Sequence, residues 1–133
     1  MINKSKKILT EISAGELFDK ISILEIKLNK IKDIKVRNNV KREHKILEKT
    51  KKSNIKITSA IRKLVKEIKV VNLKLWNIED KIRICEKNKD FGKNFIKLAR
   101  KVYFNNDKRA QIKSKLNKLL GSNIKEVKQY VNY

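Results

Sequence analysis

The sequence predicts an all-α protein: a long, coiled-coil-like antiparallel helical hairpin with two or three shorter C-terminal helices packed on one side. Three observations carry this. The 133 residues include no Pro and only three Gly, so the residues that make tight turns are scarce. Ile61, Leu64, Ile68, Val71, Leu75, Ile78, Ile82 and Cys85 alternate spacings of three and four, which is a heptad seam. Ser13 followed by Glu16 is a capping-box pattern placed just ahead of an apolar run.

The elements follow in chain order. Residues 1–12 read as a flexible lead-in and 13–133 as a single helical domain. Leu17, Ile21, Leu24, Leu28 and Ile31 form one seam of the first helix. Residues 32–39 are less regular and fit a kink, a loop or helix. Val40 and Leu47 resume a weaker seam, and Lys52-Ser53-Asn54 is the turn candidate. With no Pro or Gly from Ser53 to Asp90, one helix of ~50 Å is expected there at 1.5 Å per residue. Asp90 is the expected cap of a third helix bearing Phe91, Phe95, Leu98 and Val102. Asn105-Asn106-Asp107 reads as a turn or new N-cap before a fourth helix with Ile112, Leu116, Leu119 and Leu120. Gly121 stands where a left-handed cap is wanted, and Ser122 opens a last short helix to Tyr130.

If the main turn centres on Ser53–Asn54, Leu24 faces Ile82, Leu28 faces Glu79 and Glu25 lies beside Arg83. That register fails if residues 32–39 loop out.

The formal net charge is +22, which points to a polyanionic partner. Composition offers another cause. Lys (30), Ile (19) and Asn (14) make up 63 of the 133 residues, and all three have A/T-rich codons, as in a low-GC genome. The charge is also spread out, with 20 basic against 8 acidic residues in 1–70 and 16 against 6 in 71–133. Nonspecific nucleic-acid binding therefore stays an alternative. The single Cys85 excludes an internal disulfide and cysteine-paired zinc, and fits a reducing compartment. The basic start is no signal peptide, and no apolar run approaches the ~20 residues of a bilayer span. A cytoplasmic location is expected.

One residue beyond the long seam lies a second stripe: Asn72, Trp76, Glu79, Arg83 and Glu86. Its counterpart on the first helix is Phe18, Ser22, Glu25 and Asn29. A polar, ion-paired face with the only Trp is not what codon drift supplies. The candidate cluster is Glu25, Asn72, Trp76, Glu79, Asp80, Arg83 and Arg100. In a structural reading these are ion pairs that fix register. In a ligand reading Trp76 is an apolar platform, Arg83 and Arg100 clamp an anion, and Glu79 or Asp80 accepts hydrogen bonds.

Catalytic vocabulary is thin. His44 sits in a Lys-rich stretch and reads as a solvated surface residue. No Glu-x-x-His pair suggests a di-iron bundle, and Gly15, Gly92 and Gly121 are isolated, so no phosphate loop is formed. Cys85, at a seam position, reads as a buried, inert thiol. Tyr103, Tyr130 and Tyr133 could stack bases, but no nucleic-acid module surrounds them. No catalytic residue, metal ligand or cofactor is assigned.

Several stretches carry a resemblance. Ile12-Ser-Ala-Gly-Glu-Leu-Phe-Asp-Lys-Ile-Ser-Ile-Leu-Glu-Ile-Lys27, Asn72-Leu-Lys-Leu-Trp-Asn-Ile-Glu-Asp-Lys-Ile-Arg83 and Phe95-Ile-Lys-Leu-Ala-Arg-Lys-Val-Tyr103 resemble motifs of one family of short bacterial and phage proteins. So do Asn106-Asp-Lys-Arg-Ala-Gln-Ile-Lys113 and Glu126-Val-Lys-Gln-Tyr130. The family is the domain of unknown function numbered six-one-six-five. The likeness covers Ile12 to Tyr133 and is least in residues 32–59. It implies no established activity, and a link to surface-polysaccharide or sugar-transfer pathways. The motifs hold the secondary site candidates Glu16, Asp19, Tyr103, Asn106, Asp107, Arg109 and Lys113. Glu16 to Leu28 and Asp107-Lys-Arg109 also resemble the helical chorismate mutases, although the Arg spacing of that fold is not reproduced.

The expected function is a non-enzymatic interaction or scaffold module that takes a protein partner or forms a homodimer. Alternatives are a binder of small anions such as sugar phosphates or nucleotide sugars, a nonspecific nucleic-acid binder, and a chorismate-mutase-like enzyme.

Overall fold

The computed structural model describes residues 6–133. It is all-helical, with four helices and no strand among the described residues. They are α1 (Ala14–Lys30), α2 (Ile34–Asn54), α3 (Ser59–Lys87) and α4 (Lys93–Leu120).

Ser13 starts α1 as the sequence suggests, its side chain accepting from the Glu16 N–H at 3.2 Å. The uncertain stretch after it resolves into a break and then helix. Ile31 is extended, and Asp33 caps α2 by accepting from the Val36 N–H at 3.0 Å. The helix thus restarts in a new direction, and α2 folds back onto α1 alone. Only Val40 of α2 is buried.

The chain leaves α2 at Ile55, and Thr58 caps α3. At 29 residues, α3 is about 43 Å long. Its extensively packed partner is α4, so the main antiparallel pair is α3–α4, with α1 laid against both. The break explains why the expected register does not form. Because α1 stops at Lys30, and Ser53 and Asn54 lie in the last turn of α2 and not in the expected turn, positions counted from them miss their partners. Glu25 pairs with Lys69 at 2.8 Å, and Asn72 meets Asp19 and Ser22.

The C-terminal third also departs from expectation. Asp90 shapes the α3–α4 turn by accepting from the Gly92 N–H at 3.1 Å, while Gly92 itself stands at the N-cap with no side-chain bond. No turn interrupts Asn105-Asn106-Asp107; one helix replaces the two expected. Leu98, Val102, Asn105, Arg109, Ile112 and Leu116 continue the same three-and-four spacing, so Asn105 and Arg109 are polar residues at seam positions. The Asn105 side chain donates to the Lys101 carbonyl at 2.8 Å within the helix. Gly121 is left-handed (φ 60°) and closes α4. The expected helix after Ser122 does not form. Instead the tail crosses to other elements through side-chain bonds such as Lys113 to Glu126 and Tyr133 to Asp107.

Two apolar clusters result. Phe18 from α1 enters the first, with Ile61, Leu64, Ile68, Val71, Ile112 and Leu116. The second holds Ile78, Cys85 and Leu98. Along α3 and α4, the polar residues Asn72 and Arg109 fall between the two. No described helix is long and apolar enough to cross a membrane.

Candidate functional site

Where α1 meets both long helices, a charged network runs from the buried Asp19 outward to the surface. Asp19 is 1% exposed. Arg109 donates to it twice, from Nε to Oδ1 at 2.9 Å and from Nη2 to Oδ2. Asn72 Nδ2 donates to the same Oδ1 at 2.9 Å and to Ser22 Oγ at 2.6 Å, and Ser22 Oγ donates on to the Asp19 carbonyl. Lys113 reaches Glu16 at 2.7 Å and Asp19 at 3.7 Å, with Glu126 beyond it at 3.4 Å.

The charges are consistent with this wiring. Burial alone would raise the Asp19 pKa. The hydrogen bonds from Arg109 and Asn72, with the charges of Arg109 and Lys113, outweigh it and hold the carboxyl below its usual 3.8. On Lys113, burial favours the neutral amine, but the Glu16 hydrogen bond and the surrounding carboxylates win and raise its pKa. Arg109 is likewise raised, first by its bond to Asp19. A bidentate ion pair of this kind, with its carboxylate buried and its guanidinium part-buried, fixes one arrangement of three helices.

Alignment of α1 needs a close approach. Gly15 N–H donates to Asn117 Oδ1 at 2.7 Å, and a Cβ on Gly15 would sit 2.6 Å from the Lys113 carbonyl oxygen. Glycine is the residue that lets α1 and α4 approach so closely.

The network opens onto a cavity of about 420 Å³, lined by Ile23 and Ile26 of α1, Asn72, Leu75, Trp76, Glu79, Asp80 and Arg83 of α3, and Arg109 of α4. Arg109, whose guanidinium Asp19 holds in place, is thus part of the cavity wall. Ile23, Ile26, Leu75 and Trp76 supply an apolar surface, Glu79 and Asp80 carboxylate acceptors, and Arg83 a loosely tied cation, 4.0 Å from Glu79 and 80% exposed. The lining holds the only Trp, two of the six Arg and none of the 30 Lys.

The structure therefore brings Asn72, Trp76, Glu79, Asp80 and Arg83 together, and adds Arg109. It does not bring Glu25 or Arg100 to them. Glu25 turns to Lys69 and His44 because the break after α1 shifts its register. Arg100 lies on the exposed side of α4, 5.8 Å from the centre of the Phe104 ring. Glu16, Asp19, Arg109 and Lys113 belong to the network around the buried Asp19. Tyr103 packs on Phe104 and on Tyr133. The Tyr133 hydroxyl donates to Asp107, whose carboxylate pushes the phenol pKa up to about 12. Asn106 is half-buried on α4. Ser22, which lay on the first helix's stripe, proves to be part of the network.

His44 is a correction. Its Nε2 is buried, not solvated, and lies 3.7 Å from Glu25 and 3.9 Å from Glu48. The fold-back of α2 onto α1 puts it there, a tertiary event with no signature beyond the His44/Glu48 one-turn spacing.

A family model described as "Family of unknown function (DUF6165)" matches residues 8–132. No curated protein matches the chain, and no solved structure does.

Proposed function

The chain belongs to this family of unknown function, and we propose that it is a binding module for a small, ring-bearing polar anion, of the sugar-phosphate or nucleotide-sugar class. The composition of the cavity wall carries this reading. An exposed charged face on this protein would be expected to carry lysine, yet the lining contains a Trp, two Arg, two carboxylates and an Asn without one Lys. An apolar plate beside carboxylate acceptors suits a sugar ring, whose faces are apolar and whose rim bears hydroxyl donors. Two guanidiniums suit a phosphate, since their forked donors match its oxygens. Arg109 is preorganised by Asp19, so its ordering cost is met on folding rather than on binding. Arg83 is free to close on the ligand.

The test uses the one Trp as a built-in reporter. Emission of Trp76 is followed while the protein is titrated with sugar phosphates, nucleotide sugars and, for the enzyme alternative, chorismate. A saturable change with one of the first two classes, weakened by Arg83→Ala, supports the reading. A flat response to the whole panel overturns it. A response to chorismate with turnover favours the enzyme.

A second reading, an interaction module that pairs with a protein or with itself, is favoured by α2. That helix buries only Val40 and leaves Ile34, Val36 and Ile46 exposed. Light scattering over a dilution series checks it; a mass that stays monomeric at every concentration removes the self-associating form.

A further inference from the structure

We propose that Glu25, His44 and Glu48 form a binding site for a divalent transition-metal ion, with Zn²⁺ the best match to the donors, and that the ion fastens α2 onto α1. Each residue offers one ligand atom, and the three atoms lie within 4.8 Å of one another. His44 Nε2 is 3.7 Å from Glu25 Oε1 and 3.9 Å from Glu48 Oε1. Ligands on a tetrahedral ion with bonds of ~2.0–2.1 Å stand about 3.3 Å apart. Small side-chain rotations close that gap.

The pointing atom is the informative one. His44 Nε2 is buried and has no hydrogen-bond partner among the described residues. A buried nitrogen left without a partner is costly, and an ion between the imidazole and the two carboxylates would satisfy it. His44 and Glu48 are one turn apart on α2, so both reach the same point from a single helix face. Glu25 comes from α1.

Two lysines share the carboxylates. Lys69 holds Glu25 Oε2 at 2.8 Å, leaving Oε1, the oxygen nearer His44. Lys51 takes Glu48 Oε1 at 2.8 Å, so the ion either displaces it or binds Oε2. One imidazole with two carboxylates suits zinc and its first-row neighbours, whereas calcium and magnesium favour all-oxygen shells. Three protein ligands would leave a position for water or for a donor from outside. The consequence for the fold follows from α2, which rests on α1 alone with one buried residue. Coordination from both helices would cross-link the least anchored helix to the rest of the fold.

The experiment titrates the tag-free full chain with zinc chloride by calorimetry, with matching thermal melts. One-to-one binding that raises the melting temperature is expected, with no response to magnesium or calcium. His44→Ala and the near-isosteric Glu48→Gln should each weaken binding by about tenfold or more, in the range of lost metal contacts, while circular dichroism shows both still helical. Lys69→Ala should leave binding intact or tighten it, because it frees the second oxygen of Glu25. No zinc binding, or binding unchanged in His44→Ala, would overturn the proposal. So would zinc binding that Lys69→Ala abolishes in a folded protein.

Discussion

Asp19 on α1 and Arg109 on α4, ninety positions apart, are joined by two parallel hydrogen bonds, Nε to Oδ1 at 2.9 Å and Nη2 to Oδ2. The pair closes the chain on itself. It also sets one wall of the cavity, so stability and the proposed binding share a side chain. Their separation by mutation is the first thing to test.

Arg109→Ala leaves a carboxylate that is 1% exposed without its main partner. A loss of about 3–5 kcal/mol in unfolding free energy is expected, the usual cost of breaking a buried pair from one side. Replacing both, with Asp19→Leu and Arg109→Met, should recover most of that loss because no charge is stranded. Urea denaturation of the two variants decides it. A double variant as unstable as the single one would show that the network matters for more than its charges.

Arg83→Ala should behave oppositely. Its side chain is 80% exposed and its ion pair with Glu79 spans 4.0 Å, so stability should move by less than about 0.5 kcal/mol. Ligand-induced change in Trp76 emission should nevertheless weaken. A large stability loss here would mean that Arg83 is structural.

Acid stability follows from Asp19. Its folded pKa lies below the ordinary 3.8. Such a group contributes stability that is fully present above the unfolded pKa and disappears as the pH falls through the lower folded value. The contribution should therefore drain away below about pH 4. In Asp19→Asn this part of the pH dependence should flatten, which melts at a series of pH values would read directly. An unchanged acid slope would place the sensitivity in other carboxylates.

Gly15→Ala tests the close approach of α1 and α4. Alanine is the better helix former by about 1 kcal/mol, yet its methyl would meet the Lys113 carbonyl oxygen at 2.6 Å. Backbone cannot swing aside as a flexible side chain can, so a net loss of about 1–3 kcal/mol is expected. A stabilised variant would show that α1 slides freely on α4.

The +22 charge makes its own prediction. Binding to duplex DNA should be measurable at low salt, show no sequence preference, and fall by orders of magnitude toward physiological salt, through counterion release. Fluorescence anisotropy at two ionic strengths is sufficient. Affinity that survives physiological salt would revive the nucleic-acid reading.

Local signals in the sequence were enough for several features. Ser13 caps α1, Gly121 closes α4 in the left-handed region, and the seam from Ile61 to Cys85 lies in α3. The stripe spacing of Asn72, Trp76, Glu79 and Arg83 also placed four side chains on one face, and the cavity is lined by all four. Each of these is decided within a few turns of one helix, where 3.6-residue periodicity and capping chemistry act. Which helix meets which is decided elsewhere. A single cap at Asp33 reverses the chain and moves Glu25 from Arg83 to Lys69 and His44. Asn105-Asn106-Asp107 has the composition of a turn, but it lies within one helix, with Leu98 packed against α3 on one side of it and Ile112 and Leu116 on the other. Arg109 stands out in the sequence only as part of a motif, and the buried carboxylate that faces it, Asp19, comes from another helix. Asn105-Asn106-Asp107 reads as a break from its local composition, and Arg109 beside it finds its partner ninety residues away, because the contacts that keep this stretch helical form only on folding.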